Sequence, residues 1–311
     1  MRVELSWGER IRRLGPGLAV LVLGAALSFL SDNFFTVSNI LNVLRQISVN
    51  AIIACGMTMV ILTAGIDLSV GSALALGSAV TAGLAVGGTH PLLAILAGLG
   101  VGAAIGLVNG LLVTKGNVPA FVATLGTMAI ARGLTLVYTG GRPISKLPTL
   151  IQKVGTGYLW RIPVPVILMF VIILLVYVFL RHTPYGRYLY AVGSNPEAAR
   201  FAGIPVHRVL ITAYLLTGIL SALAGVILIG RLNSAQPTAG QAFEMDAIAA
   251  VVLGGTSLAG GQGGVGGTFI GALIIGILEN GLNLLKVPSF WQQVAKGVVI
   301  LGAVLLDRRR K

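Results

Sequence analysis

The chain has 311 residues, 56% of them hydrophobic and only 10% charged, with a formal net charge of +13. Its mean hydropathy is +0.93, whereas a soluble domain carries about 25% charged residues, so composition excludes a water-soluble globular protein of this size. The positive charge does not point to nucleic acid either, because the basic residues sit between apolar segments and at the two ends, the positive-inside pattern of membrane proteins.

Apolar segments of bilayer-spanning length recur along the chain without the alternation of barrel strands. The expected fold class is therefore all-α, a polytopic membrane protein of about ten transmembrane helices in a single domain over residues 1–311. The first segment, 1–13, holds Arg2, Arg10, Arg12 and Arg13 ahead of the apolar run from Leu14 to Leu30. That run is long for a signal peptide and lacks a clear cleavage site, so it reads as a retained first helix. Further spans are expected near 43–64, 67–87, 91–114, 118–139, 162–180, 208–230, 244–258, 264–285 and 291–306. The stretch 244–258 is short and reads as a tilted or broken helix.

An even span count puts both termini on one side. With that side cytoplasmic, thirteen of the 22 Lys and Arg residues fall inside and seven outside, and Arg132 and Lys296 remain within spans. The basic ends, including 307–311, favour this orientation. Gly102-Ala-Ala-Ile-Gly106 followed by Val118-Pro-Ala-Phe121 resembles Gly267-Thr-Phe-Ile-Gly271 followed by Val287-Pro-Ser-Phe290. The match offsets the chain by an odd number of spans, which predicts an inverted repeat of five plus five helices.

Span four carries Gly98, Gly102, Gly106 and Gly110, one stripe on which a neighbouring backbone can approach closely. Charges inside apolar spans are expensive. Asp67 lies where a helix is expected to begin, and it or Ser69 is expected to cap that helix. Arg132, Glu244, Asp246 and Glu279 read as buried pairs or as a gate. A neutral polyol needs hydroxyl partners, for which Asn50, Asn109, Asn280 and Asn283 have the right chemistry; with Asp67 and Ser69 they form the expected substrate path.

Between spans six and seven, 181–207 forms an inward-facing loop. Asn195 before Pro196-Glu197 is a helix N-cap with proline at the first turn. Ala198, Ala199, Arg200, Phe201 and Ala202 continue a short helix that Gly203 stops. A capped helix there is a docking knob for a cytoplasmic partner. Gly261-Gln-Gly-Gly-Val-Gly266 fits a dinucleotide-binding pattern, but an apolar span precedes it instead of a strand, so a tight turn is expected. No phosphate-binding GKS/GKT loop, no metal-ligand spacing and no nucleophile motif appear, and Cys55 and three histidines stand apart. The chain does not read as an enzyme, nor as carrying a metal or cofactor.

These features, with Asn33-Phe-Phe-Thr36, Gly65-Ile-Asp-Leu-Ser-Val-Gly-Ser72, Ser234-Ala-Gln-Pro-Thr-Ala-Gly240, Asp246 to Gly261 and Asn280-Gly-Leu-Asn-Leu-Leu285, resemble the permease subunits of bacterial ATP-binding-cassette monosaccharide importers, most closely those for ribose. The resemblance covers nearly all of the chain after the first thirty or so residues. It implies a bacterial cytoplasmic-membrane permease with a second copy of itself, a cytoplasmic ATPase that binds ATP and Mg, and an extracytoplasmic sugar-binding protein. It also implies that Glu197, Ala198, Ala199 and Gly203, with Asn195 and Arg200, couple the permease to that ATPase. The alternatives are another solute of the same importer class (another sugar, a furanose signal or an amino acid), or an ion-coupled transporter.

Overall fold

The computed structural model describes residues 7–308. Arg2, Arg309, Arg310 and Lys311 of the expected basic ends lie outside the described residues.

A helix lies on each expected span. The first half contains α1 (Trp7–Leu30), α2 (Val37–Leu62), α3 (Val70–Val86), α4 (Pro91–Thr114) and α5 (Ala120–Thr139). A connection follows with β1 (Ile144–Ser145), α6 (Thr149–Thr156), β2 (Tyr158–Leu159) and β3 (Ile162–Pro163). Then come α7 (Val164–His182), α8 (Pro184–Ser194), α9 (Pro196–Phe201) and α10 (Val206–Leu232). The chain ends with β4 (Ser234–Ala235), α11 (Phe243–Leu253), α12 (Val265–Leu284) and α13 (Ser289–Arg308). Among the described residues six helices, α2, α4, α5, α7, α10 and α12, are long and apolar enough to cross a bilayer, and α3 and the Gly15–Leu30 part of α1 are shorter apolar helices.

Some boundaries differ from the expected ones for local reasons. The stretch 244–258 stops being helical after Leu253, where Gly254 and then Gly255, at φ +83°, end the helix. The 67–87 span becomes helical only at Val70, because 65–67 has no regular structure and 68–69 form a turn. The connection 140–161 is not bare loop. It holds α6 and the β2–β3 hairpin, and β1 pairs antiparallel with β4 far along the chain.

The two buried helices α2 and α10 organise the bundle. α2 packs against α10, α11, α12 and α7, whereas α10 packs against α4, α3, α2 and α6. The glycine stripe of α4 lies in these contacts and is buried. Gly98 faces Thr81 and Gly77 of α3, Gly102 faces Gly218 and Ala222 of α10, Gly106 faces Tyr214 and Leu215, and Gly110 faces Ile211. A methyl group on Gly110 would stand 2.8 Å from the Ile211 Cα, so only glycine permits this approach.

Candidate functional site

Two interruptions of helical structure meet inside the bundle. The first follows α2. The Gly65 amide donates to the Val60 carbonyl at 3.1 Å and Ala64 adopts φ +59°, a left-handed helix stop. Gly65 carries no side chain because the Tyr214 hydroxyl and Val60 occupy the space a β-carbon would need. The chain then runs without regular structure over 65–67 and turns at Leu68 and Ser69 before α3 begins.

That irregular segment is held by a buried polar network. Asp67, 1% exposed, accepts from the Ser69 amide at 2.9 Å and the Ser69 hydroxyl at 2.6 Å. Asn109 of α4 donates to the Ser69 hydroxyl at 2.8 Å and to Asp67 at 3.4 Å. Its own carbonyl accepts from the Thr127 hydroxyl of α5 at 2.6 Å, and the Thr124 hydroxyl reaches the Ile66 carbonyl at 3.2 Å. Asp67 therefore closes an Asx turn that leads into α3, whose N-cap Ser69 makes no side-chain cap bond, and Asn109 bridges three pieces of chain.

The second interruption follows α10. Asn233 (φ +52°) turns the chain, 236–242 runs without regular structure apart from a turn, and Ala242 (φ +67°) leads into α11. Arg132 of α5 donates one guanidinium nitrogen to the Pro237 carbonyl at 3.0 Å and the Ala239 carbonyl at 2.7 Å. Gly240 and Gly71 touch backbone to backbone, and the Glu244 carboxylate lies over Gly71. The N-terminal turns of α3 and α11 thus abut. Each presents the positive end of its dipole, and Asp67, Glu244 and Asp246 supply negative charge in the adjacent residues.

A second polar cluster lies across α11. Lys296 of α13 pairs with Asp246 at 3.1 Å and with Glu279 of α12. Gln46 of α2 donates to Glu279 at 3.0 Å and Asn50 donates to Asp246 at 3.4 Å. The Asn50 carbonyl oxygen is buried without a partner. Two carboxylates share one ammonium here, and the void they line with Ile47 and Ala250 is about 10 Å³, near the size of one water.

The expected path residues therefore separate into four places. Asp67, Ser69 and Asn109 form one network and Asn50 belongs to the second. Asn280 forms a reciprocal amide pair with Asn39 of α2, 2.9 Å in each direction. Asn283 accepts from Gln292 at 2.9 Å near the exposed end of α12.

The loop after α7 is a compact two-helix unit. Thr183 caps α8 by accepting from the Gly186 amide at 3.1 Å. Asn195 caps α9 by accepting from the amides of Glu197 and Ala198, both at 3.0 Å. Gly203, at φ +78°, ends that unit, and the Ile204 amide closes back on the Ala199 carbonyl at 3.0 Å. Ala199 is buried, Glu197, Ala198 and Arg200 are exposed, and Phe201 stands 93% exposed. Sequence reasoning missed α8, although Thr183-Pro184 carries the same cap-then-proline signal as Asn195-Pro196. It also missed what α8 rests on. The Tyr190 hydroxyl donates to the Gly263 carbonyl at 3.0 Å, and the Gly261 amide donates to the Leu62 carbonyl at 2.9 Å beside Gly193. Burial raises the Tyr190 phenol above its ordinary range, and Arg181 pulls it the other way.

A bundle of apolar helices with paired interruptions and a rigid exposed loop has the form of a transport subunit. Residues 39–304 match the family described as the permease component of the branched-chain amino acid transport system. The chain belongs to this permease family. It is similar to the ribose import permease protein RbsC of Bacillus subtilis (strain 168), at 56% identity over 96% of this chain and 94% of that one. It is 53% identical to RbsC of Escherichia coli (strain K12), over 94% of this chain and 93% of that one. The D-allose transport system permease protein AlsC of the same organism is 40% identical, over 95% and 91%. No solved structure matches. The chain is accordingly a multi-pass inner-membrane permease subunit.

Proposed function

We propose that this permease carries ribose into the cell as part of an ATP-driven importer. The observation that carries the sugar is the step in identity, 56% and 53% to ribose permeases against 40% to a D-allose permease and 39% to a fructose permease. The ATPase partner binds ATP and Mg, this chain carries no cofactor, and a binding protein delivers the sugar from outside. Two copies of the chain form the path. Co-purification with tagged partners reads out that assembly.

In this reading the chain crosses the membrane about ten times, as two inverted halves with both termini in the cytoplasm. The exchange of partners supports it. α2 of the first half packs on α11 and α12 of the second, and α10 of the second packs on α3 and α4 of the first. The two interruptions ahead of α3 and α11 are likewise counterparts, as expected where repeats meet at a transport path. α9 docks on the ATPase, and Asn195, Glu197, Ala198, Ala199, Arg200 and Gly203 form the coupling element. Closure of the ATPase then drives a rigid-body change between inward and outward states.

The test is uptake of labelled ribose by a strain without pentose importers, supplied with this permease and its native partners. Ribose accumulation is expected. No ribose uptake with robust uptake of another sugar removes the substrate, and robust uptake of an amino acid removes the sugar class.

A further inference from the structure

We propose that Arg132 is the latch of the outer gate: its guanidinium seats on the carbonyls of Pro237 and Ala239 and must leave them for sugar to enter. The inference rests on the ribose-importer reading, which places the 233–242 segment on the outer side.

Arg132 lies within an apolar helix, half-buried, and makes no ion pair among the described residues. Its acceptors are two backbone carbonyls separated by one residue. Glu244 is close enough to act on it electrostatically without bonding to it. Both bonds come from one nitrogen that the rigid, planar guanidinium holds in place, whereas a lysine ammonium on a flexible stem is not held over the two carbonyls in the same way.

The clamped segment is built to move. Asn233 at φ +52°, Gly240 at φ +72° and Ala242 at φ +67° flank it, and two of these three are residues other than glycine in the left-handed region. Such positions absorb large backbone changes at hinges. Thr238, Gln241 and Ala242 are exposed. The contacts that join the segment to α3, α5 and β1 are the arginine, the short β1–β4 ladder, the Gly71–Gly240 approach and the Glu244 carboxylate over Gly71. The apolar packing there involves small side chains, Ala235 in a cluster with Ile144 and Leu147 and Ala239 at the edge of the main core, so releasing Arg132 and two ladder pairs lets the segment leading into α11 move without unpacking a large side chain.

The register gives a direct test. Ser145 faces Ser234 across the β1–β4 pair, and opposite residues in such a ladder have Cα atoms about 4.5–5.5 Å apart, within disulfide range. Ser145→Cys with Ser234→Cys is reconstituted in proteoliposomes with the ATPase and the binding protein; Cys55, 1% exposed, does not compete. Reduced, the complex is expected to import ribose as the unmodified one does. Oxidised, it is expected to lose uptake at least about tenfold, and reductant should restore it. Oxidised protein that transports within about twofold of the reduced form overturns the gate. If that pair does not insert, the neighbouring register pair Ile144→Cys with Ala235→Cys replaces it.

The latch itself is read by labelling. A cysteine in place of Ala239 is exposed to a membrane-impermeant maleimide in Arg132, Arg132→Lys and Arg132→Ala backgrounds, normalised to inserted protein. Labelling is expected to be several-fold faster with alanine and intermediate with lysine. Equal labelling in all three overturns Arg132 as the latch, since a purely structural role would change only the yield. A complex that imports another sugar but not ribose, and is still blocked by the cross-link, would remove the ribose reading and leave the gate standing.

Discussion

Removal of the Asn195 cap is the sharpest probe of coupling. α9 has only six residues, and of these only Ala199 is buried, so tertiary packing does little to hold it. Helices this short have no reserve of propensity either, because nucleation is unfavourable. The caps must therefore carry the helix. Asn195→Ala removes the acceptor of two amides held at 3.0 Å, a loss of about 1 kcal/mol. Gly203→Val forces a β-branched residue to φ +78°, which costs about 1–2 kcal/mol. The pair together costs roughly 2–3 kcal/mol, or about a 30- to 150-fold fall in the population of the docked helix. Asn195→Asp keeps the acceptor and adds negative charge at the positive helix end, so it should behave as the unmodified chain does. Glu197→Lys places a positive charge at that same end and should weaken coupling further. The assay is substrate-stimulated ATP hydrolysis together with ribose uptake in the purified complex, with inserted protein measured in parallel. Full coupled uptake in both Asn195→Ala and Gly203→Val would refute the assignment of α9 as the coupling element.

Three other outcomes are expected. A cysteine at Ser194 should stay unlabelled by an impermeant reagent in sealed cells and react in inverted vesicles, and labelling from outside would reverse the topology. Gly106→Val, whose side chain meets the Leu215 Cα at 2.9 Å, should destabilise the detergent-purified complex by about 1–3 kcal/mol. Gly100→Val on the same helix, with nothing within 4 Å, should leave the thermal midpoint unchanged. Asn109→Leu strips donors from Ser69 and Asp67 and the acceptor from Thr127, at about 1–3 kcal/mol for the buried groups left unpaired. An unchanged thermal midpoint there would mean the network does not hold the entry to α3.

The helical segments were legible because hydropathy alone demands them, and the cap before Pro196 because its residue types act locally. The expected cap at Asp67 or Ser69 is instead an Asx turn ahead of the helix, because Ser69 is the N-cap and no side chain bonds the free amides of α3. Where contacts are long-range the sequence was silent. Nothing local says that Arg132 reaches carbonyls a hundred residues on, or that β1 pairs with β4. The asparagines illustrate the limit. Amide chemistry suits a sugar hydroxyl and a helix bridge equally, and Asn280 spends its amide on Asn39. Gly65 and Gly71 sit inside a motif whose resemblance was plain, yet the reason for them, Tyr214 against one and Gly240 against the other, emerges only from the packing.

The choice of glycine at the meeting point bears on how such a bundle could alternate. Interdigitated cores are bistable and resist gradual deformation, so a path sealed by leucine and phenylalanine would have to be unpacked side chain by side chain. Here the two interruptions are joined by backbone contacts at Gly71 and Gly240, by one arginine and by carboxylates at the helix entries. At the other end of the first interruption, Leu62 meets Gly193 and Gly261 in the same manner, backbone against backbone. Under the importer reading, α8 and its coupling helix therefore press directly on the end of α2 and on the loop that follows α11. A displacement of α9 by the ATPase reaches both interrupted segments through α8, whose Leu189 and Val192 are seated in the apolar core, and the contacts next to the interruptions are the glycine surfaces at Gly193 and Gly261. The same economy predicts that bulk added at Gly193 or Gly261 would block the movement while leaving the apolar core of α2 and α10 intact.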